Sequence, residues 1–328
     1  MSEFKALVVS EEAGSYTATV SNRHIDDLPA GDVLIRVQYS SLNFKDALSA
    51  TGNKGVTRNF PHTPGIDAAG VVEASSVAEL SVGDEVIVTG YDLGMNTAGG
   101  FGQYIRVPAA WVLKRPKGLS LRESMVLGTA GLTAALCVDK LEQAGLTPEQ
   151  GPVLVTGATG GVGSIAVALL SSLGYEVAAA TGKALQADFL TRLGATQIVD
   201  RTALEVGKDK PMLKEQWAGA VDTVGGEILF NVVKALRYGG SVACCGLTAG
   251  GQFQGSVFPF ILRNVNLMGV DSVEQPLVVK ASMWDRLSVQ WKLDLSELVQ
   301  EITLDDLPAE IERILGGKMV GRTLVNLG

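Results

Sequence analysis

The sequence predicts an α/β protein in which a β-rich first part precedes a doubly wound parallel sheet. Three observations support this prediction. Up to about Ser120, short β-branched runs are separated by glycine and aspartate turns. Beyond it, continuous apolar runs of strand length alternate with helical segments, which is typical of a sheet covered on both faces. A glycine-rich turn joins strand to helix in "VLVTGATGGVGSIAVALLSSLG".

The first part is predicted to form an irregular barrel. Its expected strands are "KALVVS", "GDVLIRVQYS", "GIDAAGVVEAS", "VGDEVIVTG" and "GQYIRVPAAWVLKRP". A short turn of helix is expected at "FKDALSAT". The final "RTLVNL" is strand-like and is expected to return to this part. We therefore predict one domain from 1–122 with 275–328, and a second from 123–274.

The second part is predicted to alternate strands and helices. Ser120 is a candidate N-cap with Glu123 three residues on, and the helix that it starts is expected to end at Gly145. The expected strands are "PVLVTG", "YEVAAATG", "TQIVD", "AGAVDTVG", "SVACCGL" and "VNLMGVD". The helices between them are "SIAVALLSSLG", "ALQADFLTRLG" and "EILFNVVKALRYGG". The last strand would form an edge that needs covering, which favours a homodimer.

Composition limits the possible functions. A chain of 328 residues exceeds the usual size of one hydrophobic core. Its net charge of −8 argues against nonspecific binding to nucleic acid or anionic membranes. The N-terminus has only a four-residue apolar run, and no later run has 18 uninterrupted apolar residues, so we expect a soluble cytoplasmic protein. Cys137, Cys244 and Cys245 give no disulfide framework, and no metal site is predicted.

The glycine turn predicts dinucleotide binding. Gly161–Ala166 fits G-x-G-x-x-A, while Gly157, Gly160 and Gly163 fit G-x-x-G-x-x-G. Glycines allow the backbone to approach a pyrophosphate, and the N-terminus of the next helix favours the anion. The strand before the turn and the second strand after it give the context of a Rossmann fold. The alternative is a purely structural turn. The expected contacts are Thr159, Gly160, Gly161, Val162, Gly163 and Ser164.

The end of the second strand predicts which dinucleotide binds. NAD-specific folds often place a carboxylate about 20 residues beyond the glycines, to hold the ribose hydroxyls. This chain has Thr181, Gly182 and Lys183 there, with no acid before Asp188. A lysine suits a 2′-phosphate, and Arg201 after the next strand could contact the same group. The sequence thus predicts NADPH, with a solvated surface lysine as the alternative.

Several longer strings resemble one family. The strings "SSLNFKDALSATG", "RNFPHTPGID", "GTAGLTAALCV", "VTGATGGVGS", "WAGAVDTVGG", "FILRNVNLMGVDS" and "GRTLVNL" are similar to the acryloyl-CoA reductase group (AcuI/YhdH type) of the medium-chain dehydrogenase/reductase superfamily. Members of this group were often labelled zinc-free quinone oxidoreductases. The resemblance covers nearly the whole chain. It implies a GroES-like irregular barrel and a Rossmann doubly wound parallel sheet.

The resemblance also implies site residues. Zinc-dependent relatives carry Gly-His-Glu where this chain has Gly65-Ile66-Asp67, which implies a zinc-independent enzyme. Phe44 stands where relatives often have tyrosine beside the nicotinamide or ribose. Further cofactor contacts are implied at Leu247, Ile261, Ser272 and Arg322.

The implied reaction is hydride transfer from NADPH to the β-carbon of acryloyl-CoA, which gives propionyl-CoA. Asn43 is the candidate polar group near the reacting centre, with capping of the local turn as an equal alternative. Asp67 is expected mainly to order the barrel. Lys45, Lys54 and Arg58 are possible partners of CoA phosphates, with a solvated surface role as the favoured alternative for each, and no proton donor is named. Two alternative functions remain: an NADPH-dependent quinone or enone oxidoreductase, and a non-catalytic NADPH-binding redox sensor.

Overall fold

The computed structural model describes residues 3–294 and 296–328 and divides the chain into two units. The first unit comprises Met1–Thr129, Val273–Val289 and Leu298–Gly328. The second comprises Ala130–Ser272 and Gln290–Glu297. The predicted domains were 1–122 with 275–328 and 123–274, so the structural division lies a few residues from the predicted boundaries and assigns one short segment differently.

The first unit contains nine strands, numbered along the whole chain. They are β1 Glu3–Glu12, β2 Ser15–His24, β3 Val33–Leu42, β4 Asp67–Ser75, β5 Glu85–Thr89, β6 Tyr104–Val107, β7 Val112–Lys114, β14 Val299–Ile302 and β15 Arg322–Asn326. β1 and β2 form an antiparallel pair, and the others form a seven-stranded sheet in the order β14-β15-β3-β4-β5-β7, with β6 also on β3. The helices are α1 Phe44–Ala50, α7 Leu277–Ser288 and α8 Leu307–Leu315.

Two strands of this unit were not predicted. In β2, "SYTATVSNRH", every residue is exposed or half-buried. It is a strand because it pairs over its full length with β1. β14 has four residues and pairs with β15. In contrast, the predicted return of "RTLVNL" is confirmed, because β15 pairs antiparallel with β3.

Helix α2, Leu121–Gln143, begins with the predicted capping box. The Glu123 carboxylate accepts hydrogen bonds from the Ser120 backbone N–H and from its hydroxyl, both at 2.7 Å. The helix is interrupted at Gly128, where φ is 53° and ψ is −155°. By length and composition it is apolar enough to cross a membrane, but 83% of its most apolar window is buried, as in a core helix.

The second unit contains a parallel six-stranded sheet. Its strands are β8 Val153–Val155, β9 Val177–Thr181, β10 Gln197–Asp200, β11 Trp217–Asp222, β12 Leu236–Cys244 and β13 Asn266–Gly269. The helices between them are α3 Gly161–Ser172, α4 Ala187–Arg192, α5 Gly226–Ala235 and α6 Phe258–Arg263. The strand order is β10-β9-β8-β11-β12-β13, so β13 lies at an edge as predicted. This confirms the doubly wound sheet.

One helix end was predicted wrongly. We expected the helix "EILFNVVKALRYGG" to extend to Gly240, but α5 ends at Ala235 and Leu236 already belongs to β12. Leu236 lies opposite Trp217 in the parallel pair β11–β12. The pairing becomes irregular after Trp217, which accommodates Gly239 at a φ of 74°. The partner strand therefore overrides the local helical pattern.

Candidate functional site

The glycine turn between β8 and α3 leaves no room for a side chain at Gly163. A Cβ on Gly163 would lie 2.3 Å from the carbonyl oxygen of Gly157 and 2.8 Å from the Cα of Ala158. Gly157 itself has a φ of 60°, in the region that favours glycine. The start of α3 is thus packed directly on the turn.

The N-terminus of α3 is a suitable anion site. Gly160, the residue before the helix, is extended, and no side chain of the described residues caps the helix at that position. The first N–H groups of any α-helix have no partner within the helix, and the helix dipole adds positive potential. α3 has 12 residues, which is long enough for its dipole to favour an anion, so its first turn can bind a pyrophosphate.

Asp222, which was not among the predicted site residues, braces this turn. Its carboxylate accepts a hydrogen bond from the hydroxyl of Thr156 at 2.7 Å and from the N–H of Gly225 at 2.8 Å. Burial raises the pKa of Asp222. The hydroxyl of Thr223 donates to the Thr156 carbonyl at 2.9 Å. The available signal was the string "VDTVGG", whose aspartate ends the strand next to β8.

The structure brings the end of β9 to the glycine turn. The hydroxyl oxygens of Thr159 and Thr181 are 3.5 Å apart, and both side chains are buried. The backbone N–H of Lys183 donates to the Thr181 hydroxyl at 3.0 Å. Three of the predicted contacts therefore form one local group.

Arg201 directly follows β10, which pairs with β9, and it lies beside the end of β9. A Cβ on Gly182 would be 3.2 Å from Cζ and 3.3 Å from Nε of Arg201, so the guanidinium packs against the Gly182 backbone. The side chain of Lys183 is partly buried, which lowers its pKa through desolvation. Arg201 packs on Gly182 and Lys183 is the next residue along the chain, so two cationic residues lie at this strand end, which suits a dianionic group better than a neutral hydroxyl.

Three other predicted contacts differ in exposure. Leu247 and Ile261 are exposed, at 63% and 69%, whereas Ser272 is buried. The Ser272 hydroxyl oxygen accepts a hydrogen bond from Thr133 at 2.7 Å. Leu247 belongs to a loop whose Ala249 N–H donates to the Val224 carbonyl at 2.7 Å. Their role in binding the nicotinamide stays a prediction.

The first unit contains a buried polar cluster centred on Asp67. Its carboxylate accepts hydrogen bonds from the Ser41 hydroxyl at 2.6 Å, the Asn43 amide at 2.8 Å and the Thr129 hydroxyl at 2.5 Å. The Thr129 N–H, which Gly128 leaves outside the helical pattern, also donates to it. Asp67 therefore fixes the position of several side chains at once.

Asn43 is oriented by its neighbours on both sides of its amide. Nδ2 donates to Asp67 and, at 3.2 Å, to the Ser41 carbonyl, while Oδ1 accepts from Nη1 of Arg322 at 3.3 Å. Its backbone N–H donates to the Asp46 carboxylate at 2.8 Å, which is half of a capping box at the start of α1. Phe44, the first residue of α1, is half-buried.

Arg322 is buried and only partly paired. Nε donates to the Val126 carbonyl at 2.9 Å, and Nη1 donates to the Leu42 carbonyl and to Asn43, both at 3.3 Å. Nη2 has no hydrogen-bond partner among the described residues. Burial lowers the pKa of Arg322, and the charges of Asp67 and Asp46 oppose this shift. Nη2 is thus a donor of this cluster that has no acceptor among the described residues.

Asp46 is a buried carboxyl that titrates near neutrality. Desolvation and the nearby charge of Asp67 raise its pKa to about 7. Hydrogen bonds from the backbone N–H groups of Asn43 and Ile66, both at 2.8 Å, partly oppose this shift.

Asp46→Asn is expected to flatten the pH dependence of stability. Between the unfolded value near 3.8 and the folded value near 7, the folded chain holds a proton that the unfolded chain has lost. This contribution is therefore complete below the unfolded pKa and is lost as pH rises to about 7. The free energy of unfolding should be measured with denaturant from pH 4 to 8. It should fall with rising pH more steeply in the wild type than in Asp46→Asn, by up to about 1.4 kcal/mol per pH unit. Parallel curves for both proteins would contradict the assignment.

The described residues contain no group of three or more His, Cys, Asp or Glu side chains arranged to hold a metal ion. Nε2 of His62 donates a hydrogen bond to the Gly94 carbonyl at 2.9 Å, and burial lowers the pKa of His62. Burial and the charge of Asp222 raise the pKa of Cys244 to about 11, so its thiol is protonated at neutral pH. The expectation of a zinc-independent site stays a prediction.

Comparison with family models and known proteins gives a consistent assignment. Residues 29–117 match the alcohol dehydrogenase GroES-like domain, and residues 161–288 match the zinc-binding dehydrogenase family. The chain is 47% identical over 327 residues to acrylyl-CoA reductase AcuI of Ruegeria pomeroyi, covering 99% of both chains. It is 46% identical over 326 residues to YhfP of Bacillus subtilis, named as a quinone oxidoreductase, again covering 99% of both.

Solved structures show the same relationship. The yhdH oxidoreductase of Salmonella enterica in complex with NADP matches with a TM-score of 0.96 and 46% identity, over 99% of this chain and 100% of that one. Bacillus subtilis yhfP with NAD bound matches with a TM-score of 0.97 and 46% identity, over 100% of both chains. These findings confirm the predicted resemblance. The chain belongs to the medium-chain dehydrogenase/reductase superfamily and, within it, to the family of acrylyl-CoA reductase AcuI and YhfP.

Proposed function

We propose that this protein is an NADPH-dependent acryloyl-CoA reductase that works without zinc. The observation that carries the proposal is 47% identity along essentially the full chain to an acrylyl-CoA reductase. NADPH would supply the hydride, which adds to the β-carbon of acryloyl-CoA and leads to propionyl-CoA. The protein would hold the cofactor and substrate in place and provide donors to the thioester oxygen.

The glycine turn and the end of β9 fit NADPH. The uncapped α3 terminus would hold the pyrophosphate, and Lys183 with Arg201 would hold the 2′-phosphate. The proposed contacts are Thr159, Gly160, Gly161, Val162, Gly163, Ser164, Thr181, Gly182, Lys183 and Arg201, with Phe44, Leu247, Ile261, Ser272 and Arg322 towards the nicotinamide. Because one relative was solved with NADP and another with NAD, the cationic pair is the feature that favours NADPH here.

The Asp67 cluster favours a positioning role for Asn43. Both amide N–H groups of Asn43 are donated inside the protein, and its oxygen orients Arg322. We propose that Asn43 acts by orienting the guanidinium of Arg322, which is the residue proposed to reach towards the cofactor. Phe44 has no hydroxyl and cannot supply the proton to the α-carbon, so solvent water is the proposed proton source.

Asn43→Ala is expected to slow hydride transfer about tenfold, because Arg322 would lose one of the groups that fix its guanidinium. Single-turnover decay of NADPH absorbance, with cofactor prebound and acryloyl-CoA added, measures this step directly. The exposed Asn22, whose amide bonds Glu3 at 3.2 Å, provides a matched Asn→Ala control. A transfer rate within about threefold of wild type, less than 1 kcal/mol of barrier, would remove Asn43 from the mechanism.

The cations proposed for CoA are only partly available. Nζ of Lys54 lies 2.7 Å from the Glu11 carboxylate and over the rings of Tyr16 and Phe60. This pairing favours a structural role for Lys54. Lys45 and Arg58 remain candidates for the CoA phosphates.

A second candidate function is reduction of quinones or free enones, which the 46% identity to YhfP favours. NADPH oxidation should be followed with acryloyl-CoA, longer enoyl-CoA thioesters, free acrylate and a small quinone. We expect kcat/KM for acryloyl-CoA to exceed the value for the quinone by at least about 100-fold, since the CoA moiety adds binding energy. A faster quinone reaction would favour the second function. Tight NADPH binding with no active acceptor would indicate a non-catalytic protein.

A cytoplasmic homodimer is part of the proposal. The edge strand β13 has backbone groups available for pairing with a second copy. Apolar side chains of the preceding segment are also exposed, namely Val257, Phe258, Ile261 and Leu262. Analytical ultracentrifugation at micromolar concentration should give the mass of a dimer, and a monomer would contradict this part of the proposal.

A further inference from the structure

The connection between β10 and β11, residues 201–216, contains no α-helix. The structure describes this segment completely, and its regular part is a single 3-10 turn, Arg201–Glu205. Crossovers between parallel strands usually contain an α-helix, which satisfies its own backbone groups. The carbonyls of this connection therefore need other donors.

Two buried side chains of α5 supply these donors. Nδ2 of Asn231 donates to the Leu204 carbonyl at 2.7 Å, and the side chain is 4% exposed. Lys234, about one turn later, is 2% exposed and holds the distal part of the connection. Its ammonium group donates to three carbonyls at 2.9–3.0 Å, those of Gly207, Lys208 and Lys210.

The two anchors hold different parts of the connection. Leu204 lies within the same 3-10 turn that begins at Arg201, so Asn231 holds that turn directly. The carbonyls bound by Lys234 begin six positions after Arg201. Because Arg201 packs on Gly182, a shift of the turn would move its guanidinium away from the end of β9.

Leu204 of the turn packs against the core of the second unit, but this packing is incomplete. A cavity of about 170 Å³ adjoins it, lined among others by Leu204, Leu213, Trp217 and Asn231. Side chains that border a void lose contacts on that side, so the turn can move at lower cost than in a filled core. Asp200 caps the start of the turn by accepting a hydrogen bond from the Thr202 N–H at 2.8 Å, and the hydrogen bond from Asn231 to Leu204 restrains the rest of the turn.

We infer that Asn231 is a positioning residue for Arg201 and thereby increases the discrimination between NADPH and NADH. The inference rests on the proposed cofactor, because it assumes that Arg201 contacts the 2′-phosphate. Asn231 acts through the Leu204 carbonyl and the turn, and it contributes to the phosphate site only by fixing where the guanidinium lies.

Calorimetric binding of NADP⁺ and NAD⁺ to the full chain tests the inference without an activity assay. Arg201→Ala should weaken NADP⁺ about tenfold or more and leave NAD⁺ within twofold. Asn231→Leu, which keeps the volume and removes the donor, should weaken NADP⁺ about fivefold and leave NAD⁺ within twofold. When Asn231→Leu is added to Arg201→Ala, the affinity for NADP⁺ should fall by less than a further twofold. The reason is that the guanidinium positioned by Asn231 is already absent.

Lys234→Met is the matched control, since it also removes a buried donor of α5 from the connection. Its ratio of NADP⁺ to NAD⁺ affinity should stay within twofold of wild type. An unchanged ratio in Asn231→Leu, or equal weakening of both cofactors, would overturn the inference while Arg201→Ala still supports the cofactor site. An unchanged ratio in Arg201→Ala would instead overturn the proposed phosphate contact. If Asn231→Leu does not fold, Asn231→Ser is judged by the same criteria.

Discussion

Lys183→Glu is expected to weaken NADPH binding about 100-fold and to leave NADH binding within threefold. The change removes a charge-assisted hydrogen bond, worth about 1.5–3 kcal/mol, and adds repulsion between a carboxylate and a phosphate dianion. The same carboxylate can accept hydrogen bonds from the ribose hydroxyls of NADH, so the affinity for NADH should change little. Quenching of intrinsic fluorescence on titration with each cofactor gives both dissociation constants.

Lys214→Glu is the control for the change in net charge. Lys214 is exposed in the same unit and lies on the connection before β11. Its replacement should leave both dissociation constants within twofold. Equal affinities of the unmodified protein for NADPH and NADH would contradict the assignment of the cationic pair, whatever the variants show.

Gly163→Ala is expected to weaken NADPH and NADH together, each by about 100-fold. The new Cβ would lie 2.3 Å from the Gly157 carbonyl oxygen and 2.8 Å from the Cα of Ala158, and backbone atoms cannot move aside as a flexible side chain could. The turn and the start of α3 must then separate, which costs about 1–3 kcal/mol or more and displaces the N–H groups facing the pyrophosphate. Unlike Lys183→Glu, this change should not alter the ratio between the two cofactors.

Gly328→Ala is the matched control, because the nearest neighbour of a Cβ on Gly328 is 3.9 Å away, an ordinary contact distance. It should keep both affinities and the unfolding midpoint within error of wild type. If Gly163→Ala binds both cofactors normally, the turn does not hold the pyrophosphate as proposed.

Most of the second unit could be predicted from sequence because its elements have strong local signals. Buried parallel strands give continuous apolar runs, and the turn at Gly157–Gly163 has a spacing tied to one backbone geometry. The end of α5 was the exception. Its boundary at Ala235 depends on pairing between Leu236 and Trp217, which no local pattern reveals.

The polar cluster of the first unit was only partly predictable. Asn43, Asp67 and Arg322 were each singled out, but their mutual contacts were not. Thr129 meets Asp67 across 62 positions of sequence, and Arg322 meets Val126 across 196. Contacts at such separations follow from the sheet as a whole. Asn231 was also absent from the predictions, since its role depends on a connection that lacks the usual helix.

The position of β15 has a consequence for biosynthesis. β3 pairs with β6 over Val33–Arg36, but its residues Tyr39–Leu42 pair on that side with β15. A growing polypeptide has made β3 and β4 long before Arg322 and the rest of β15 leave the ribosome. Residues 39–42 therefore lack this partner strand until residues 322–326 have been synthesised, and the sheet of the first unit cannot be completed before then.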